Sequence, residues 1–206
     1  MQENIFHNPT LISYVVKTMK ETYPDAQVGK TVIQNLVYFL SRKGVCDFDY
    51  SLYHSGPHSS QVSIELNFAE EIGAVAIDWI PDKGYFISPG TMCSSKLLFQ
   101  NTEKTERDVI DEVVQEYGAY NAIEISIIAT ALFLKENFGV NDQSNLEDVV
   151  LSLRPQYNKT RISDLLANTL RSWEIKPIAH LQPKISANLA LQCGIALDPD
   201  CTEVRR

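Results

Sequence analysis

At 206 residues, 44% hydrophobic and 21% charged, the chain has the length of one ordinary domain and enough apolar side chain for a sizeable core, which excludes intrinsic disorder as its class. A formal net charge of −8 argues against non-specific attraction to phosphate backbones. No apolar run approaches the ~20 residues a bilayer span requires, and Met1-Gln2-Glu3-Asn4 lacks the basic start and apolar stretch of a secretory leader, so a cytoplasmic location is expected.

Asn8-Pro9 followed by Leu11, Ile12, Val15, Val16 and Met19 predicts a helix over 9–22, ended by Tyr23-Pro24-Asp25. Val32, Ile33, Leu36, Val37, Phe39 and Leu40 predict a second, central helix over 30–42, with Lys43-Gly44 as its stop. Residues 48–53 alternate large and polar side chains, as a short strand does. Next comes Tyr53-His54-Ser55-Gly56-Pro57-His58-Ser59-Ser60, read as a rigid junction in which glycine gives backbone freedom, proline fixes φ and the serines can cap. Val62, Ile64, Leu66, Phe68, Ala69 and Ile72 then mark a helix that stops at Gly73, and residues 74–80 and 85–88 flank a Pro81-Asp82-Lys83-Gly84 turn as a hairpin.

The second half reads as helix throughout. Thr105 with Asp108 opens a run to Tyr117, Asn121 with Glu124 forms a capping box for a run to Phe138, and Ser144 with Glu147 opens a run to Leu153. A last helix is expected over 158–173 and a weaker one over 185–193, before a polar tail expected to be partly mobile. The fold class is therefore mainly α with a small β component, α+β, its β part a hairpin or a three-stranded sheet. Helix, junction, helix and hairpin follow the order of a winged-helix assembly, which places a winged-helix-like core at about 30–90 against a helical half at about 105–173. Residues 1–173 form one domain in this reading, with 174–206 as a C-terminal extension.

Leu36-Val37-Tyr38-Phe39-Leu40, then Gly44, Tyr53, Gly56-Pro57 and Ser59, then a helix and a tyrosine-containing hairpin, resemble the YwgA-type proteins and, more distantly, the Panacea domain of antitoxin-like proteins. The run from Tyr117 through Gly118, Ala119, Tyr120, Asn121, Ala122 and Ile123 to Glu124, and the step Leu153-Arg154-Pro155, are similar to that family's second half, so the likeness covers about residues 30–172. The resemblance implies a protein partner and, by way of the Panacea members, toxin neutralisation; for YwgA-type proteins it implies no activity.

Each chemistry-bearing residue also has a plainer structural role open to it. His54 and His58 flank Gly56-Pro57 and either titrates near neutral pH, but a metal pair needs further ligands and only Asp47 and Asp49 lie near in sequence. A hydrogen-bonded His54 and a solvent-exposed His58 are the favoured reading, and neither a metal nor another cofactor is expected. Ser55 and Ser59 lack both a nucleophile-elbow pattern and an orienting acid, so no catalytic residue is assigned. Cys46, Cys93, Cys193 and Cys201 have no zinc-like spacing, and Cys46 is expected to be buried at the end of the central helix.

Base reading by the helix after Gly56-Pro57 would fall to Gln61 and Asn67, with Lys83 as the wing cation, because that helix carries Glu65, Glu70 and Glu71 and no basic residue. A winged-helix nucleic-acid-binding regulator, working as a homodimer, is thus the alternative, with a small-ligand or metal-dependent enzyme built on His54 and His58 third. Arg154, Lys159, Arg161 and Arg171 read as a solvated helix face. Residues 91–142 carry four basic and nine acidic side chains, a balance of −5, whereas 143–206 carry eight and seven, a balance of +1. The favoured function is a non-catalytic regulatory or protein-interaction domain. Tyr53, His54, Gly56, Pro57 and His58 supply one candidate partner surface, and Glu112 and Glu116 in the acidic segment supply another. Among Tyr38, Phe39, Tyr50, Tyr53, Trp79, Tyr85 and Phe86, most are expected in the core, with any exposed member a candidate anchor.

Overall fold

A computed structural model describes residues 4–93, 102–155 and 157–169. Among them are seven helices, α1 (His7–Thr22), α2 (Lys30–Arg42), α3 (Ser60–Glu71), α4 (Lys104–Tyr117), α5 (Ala122–Phe138), α6 (Gln143–Leu153) and α7 (Lys159–Thr169). Four short strands, β1 (Ser51–Tyr53), β2 (Gly56–His58), β3 (Val75–Ile80) and β4 (Gly84–Pro89), pair antiparallel as two separate two-stranded sheets. The fold is mainly α with a small β component, and no single helix among the described residues is long and apolar enough to cross a membrane.

Two helices make the centre. In α2 every residue from Val32 to Arg42 is buried, and in α5 every residue from Ile125 to Leu134 is. A helix apolar on all sides must be enclosed on all sides. α2 and α5 pack on one another; α1 and α4 lie against α2, and α6 and α7 against α5. Tyr38 on α2 meets Phe133 on α5 at 6.2 Å between ring centroids, and Phe39 stacks on Tyr117 of α4 at 4.1 Å. Beside these rings lies a buried ion pair: Arg42 Nε is 2.5 Å from Glu136 Oε2, with both side chains 5% exposed, and the Tyr38 hydroxyl donates to the same oxygen at 3.2 Å. Burial, reinforced by the Glu136 carboxylate, holds the Tyr38 phenol far above its ordinary range.

Most helix ends sit within two residues of the sequence expectation, and the differences follow from capping. α5 begins at the predicted box, Asn121 Oδ1 accepting from the backbone N of Ile123 and Glu124 while Glu124 accepts from Asn121 N. α4 starts earlier than Thr105, because the box is made by Glu103 with Glu106. α6 is capped by Asp142, which accepts from Asn145 N at 2.8 Å. Glu147, expected to close a box with Ser144, instead accepts from Gln143 on its own helix and Ser163 on α7. The expected helix over 185–193 and the tail lie outside the described residues, as do residues 170–173 of the last helix.

The β component corrects one expectation. Gly56 and Pro57 are not a turn between helices; they are the strand β2, paired to β1 in the register Ser51 with His58, Leu52 with Pro57 and Tyr53 with Gly56. The turn is His54-Ser55. β1 consequently pairs with its own hairpin partner, and the three-stranded sheet with β3 and β4 does not form. The outer flank of β4 is taken by the chain entering α2, where Ile87 N donates to Val28 O at 2.8 Å. Gln27 Nε2 reinforces that contact, donating to Lys83 O at 2.7 Å and Tyr85 O at 3.3 Å.

Candidate functional site

The junction is built from the inside out. Gln34 of α2 holds both backbone polar groups of Ser59, accepting from Ser59 N at 3.0 Å and donating to Ser59 O at 2.9 Å. The side-chain amide thus takes the place of a neighbouring strand, and it fixes the start of α3. Ser59 Oγ, expected to cap that helix, makes no capping bond. Gly56 has φ +103, and a Cβ there would lie 2.7 Å from Asn35 Oδ1 and 3.3 Å from Ser126 O, so β2 lies directly against α2 and α5. Gly56 and Pro57 are therefore buried, which removes them from any surface for a partner.

Outside this base, Tyr53 is 52% exposed and its ring lies 5.0 Å from that of His58. The two histidines exchange their expected environments: His54 is exposed, whereas His58 is half-buried, its pKa lowered by burial, with Ser63 Oγ 3.5 Å from Nε2. The antiparallel register brings His58 to Tyr53, not to His54. Among the described residues no three His, Cys, Asp or Glu side chains converge as metal ligands would. Cys46 packs its thiol against Ser41 Oγ at 3.2 Å, and burial pushes its pKa up to about 12. That is an inert environment.

The acidic candidates sit on α4. Glu112 is exposed and pairs with Lys43 at 3.0 Å, and Glu116 accepts from the Tyr117 hydroxyl at 2.9 Å. On α3 the exposed positions include Gln61, Ile64, Asn67, Glu70 and Glu71. Gln61 is already engaged, its Oε1 accepting from Asp49 N at 3.0 Å. Lys83 is exposed at the hairpin turn. Of the expected basic face, Lys159 pairs with Asp148 at 2.5 Å and Arg161 with Glu124 at 2.8 Å. Arg154 is not solvated at all, being 7% exposed, and Arg171 lies outside the described residues.

The exposed aromatic surface lies mainly elsewhere, on the outer half of the β3–β4 hairpin. Trp79 is 61% exposed, Ile80 39% and Tyr85 39%. Trp79 and Tyr85 are directly cross-strand and meet edge to face, 4.7 Å between centroids. Lys30 Nζ stands 4.3 Å from the centre of the Tyr85 ring. Burial divides the aromatic set, with Tyr38 and Tyr50 in the core and Tyr53, Trp79 and Tyr85 outside. On β3 the division follows position along the strand, since Ala74 and Val75 at its base are enclosed while the residues beyond run out into solvent.

Compared with known proteins, the chain matches no protein-family model and no curated sequence.

Proposed function

We propose that this chain is a non-catalytic protein-interaction domain whose partner seats on the outer half of the β3–β4 hairpin. The single observation that carries the reading is the Trp79–Tyr85 pair, two rings in edge contact at 4.7 Å on an exposed two-stranded ribbon with Ile80 beside them. Tryptophan and tyrosine dominate binding energy at protein interfaces because a large rigid ring is desolvated at little entropic cost. Here the pairing is pre-arranged, since the strand register holds the rings together before a partner arrives. The flank of β3 away from β4 forms no ladder with another strand among the described residues, so an extended partner segment can add to the sheet.

The likeness of Leu36-Val37-Tyr38-Phe39-Leu40 and Gly56-Pro57 to YwgA-type and Panacea proteins supports a regulatory, antitoxin-like role for this binding. Tyr53 and His54 extend the candidate surface at the other hairpin, and Glu112 offers an acidic contact on α4. The exposed positions of α3 include no lysine or arginine, so no feature of that helix favours nucleic acid.

The test is affinity capture from the native host with and without nuclease, with wild type and Trp79→Ala in parallel. One protein retained in stoichiometric amount by wild type and lost from the variant is the expected result. Capture of nucleic acid alone, released by nuclease or salt, would refute the reading.

A further inference from the structure

A groove of about 520 Å³ opens beside the hairpin, between the start of α2, β4 and the start of α5. Its volume lies in the ~300–1,000 Å³ range of clefts that enclose a ligand or a short peptide segment. Tyr85, Tyr120 and Ile123 give it apolar walls, and Ile123 is 44% exposed. Two lysines, Lys30 and Lys83, line it, and among the described residues no aspartate or glutamate does. In a chain of net charge −8 that is a local reversal of sign. Asp25, Asp82 and Glu124 each adjoin a lining residue in sequence without lining the groove themselves, and Glu124 accepts from Asn121 N at 3.1 Å and from Arg161 at 2.8 Å.

Neither lysine is neutralised. Among the described residues Lys30 and Lys83 form no ion pair, although Lys17, Lys43, Lys159, Arg42 and Arg161 all do. Lys30 leans over Tyr85, which keeps its ammonium at the groove wall. The opening amides of α2 add to the positive character, because the N-cap is Gly29 and no side chain caps them. Gly29 also lies close beneath β4, where a Cβ would be 3.3 Å from Tyr85 O.

We infer that this groove receives an acidic segment of the protein partner, an extended stretch carrying two or more carboxylates about one aliphatic or aromatic side chain. The carboxylates meet Lys30 and Lys83, and the apolar side chain lies between Tyr85, Tyr120 and Ile123. Tyr85 belongs both to this groove and to the Trp79 pair, so the groove continues the proposed interface rather than forming a second one. The inference rests on the protein-interaction reading and gives it a ligand chemistry. Opposite charge across an interface sets register and speeds encounter, and it makes binding sensitive to salt.

Two experiments separate the inference from the reading on which it rests. The first titrates a pool of fluorescein-labelled hexapeptides, each with acidic residues flanking one leucine or tryptophan, into the full chain and follows anisotropy. The expected result is binding that weakens as salt is raised, is absent for the matching lysine-flanked pool, and falls at least tenfold in Lys30→Gln/Lys83→Gln and in Ile123→Glu. Equal binding of both pools, no binding of the acidic pool, or full displacement by inorganic pyrophosphate with no contribution from the apolar residue would overturn the inference, the last marking the groove as a small-anion site.

The second repeats the nuclease-treated capture with Lys30→Gln/Lys83→Gln. A partner bound by wild type and lost from this variant supports the inference. A partner retained equally by both removes the groove and leaves the interaction reading standing, whereas no protein partner with wild type removes both.

Discussion

Gln34 clasps Ser59 by both backbone groups, its Oε1 accepting from Ser59 N at 3.0 Å and its Nε2 donating to Ser59 O at 2.9 Å. The same Nε2 reaches Ser63 Oγ at 3.0 Å, so one buried amide ties the centre of α2 to the first turn of α3. Because Ser59 is itself 1% exposed, removing the amide strands its N–H where water reaches poorly, whereas Ser59 O keeps its bond from Ser63 N at 3.3 Å. Gln34→Ala is expected to cost about 1–3 kcal/mol, read as a shift in the urea midpoint with an unchanged slope. A cost below about 0.5 kcal/mol would mean that other partners satisfy Ser59.

The buried pair of Arg42 and Glu136 is expected to behave asymmetrically. Glu136→Ala leaves an arginine in a site where both side chains are 5% exposed, and should cost about 3–5 kcal/mol. The double change Arg42→Met/Glu136→Leu removes both charges and should be markedly less damaging than Glu136→Ala alone. Denaturant unfolding of the set decides it, and a double variant worse than the single one would contradict this account.

Gly56 and Gly44 both have positive φ, +103 and +79, yet their surroundings differ. Nothing lies within 4 Å of a Cβ at Gly44, whereas one at Gly56 would lie 2.7 Å from Asn35 Oδ1. Gly44→Ala should cost about 1 kcal/mol from backbone strain alone, and Gly56→Ala about 2–4 kcal/mol because strain and overlap combine. Equal melting temperatures for the two variants would show that β2 moves away from α2 without penalty.

His58 contributes a pH dependence of definite sign. Burial lowers its folded pKa below the ordinary 6.5, so the unfolded chain takes up a proton first as pH falls. Its effect is absent at pH values well above 6.5; destabilisation begins as pH falls through that value and is complete below the folded pKa. Because His58 is only half-buried, the effect is small. Titration of the His58 ring resonances by NMR should give a midpoint below 6.5. A midpoint above 6.5 would contradict the burial of His58.

The helices were legible because apolar spacing and capping chemistry are local. Asn121 with Glu124 set the start of α5 from four residues, and Val32 through Leu40 marked α2 as central. Where two residues could each cap, as with Glu103 and Thr105 before α4, spacing alone does not rank them, since each has an acidic residue three positions on. The pairing of β1 was less accessible still. Gly-Pro-His has the composition of a turn, and it becomes a strand only because Asn35 and Ser126, distant in sequence, leave space for a backbone without a Cβ. The candidate surface was half visible: Tyr53, Trp79 and Tyr85 stood in one aromatic set with Tyr38, and only packing assigns Tyr38 to the core and the other three to the exterior. The groove had no sequence signal, because Lys30 and Lys83 are 53 positions apart and meet through the contact of Val28 with Ile87.

The hairpin anchor is tested most directly by the dissociation constant of the purified captured partner for wild type and for Trp79→Ala, with melting temperatures measured alongside. Since Trp79 is 61% exposed, the variant should melt within a degree or two of wild type, while affinity should fall about thirtyfold or more, the loss of at least ~2 kcal/mol that marks an interface hot spot. An unchanged constant for Trp79→Ala, together with a large loss on charge reversal at Glu112 and Glu116, would place the partner on α4 and contradict the account.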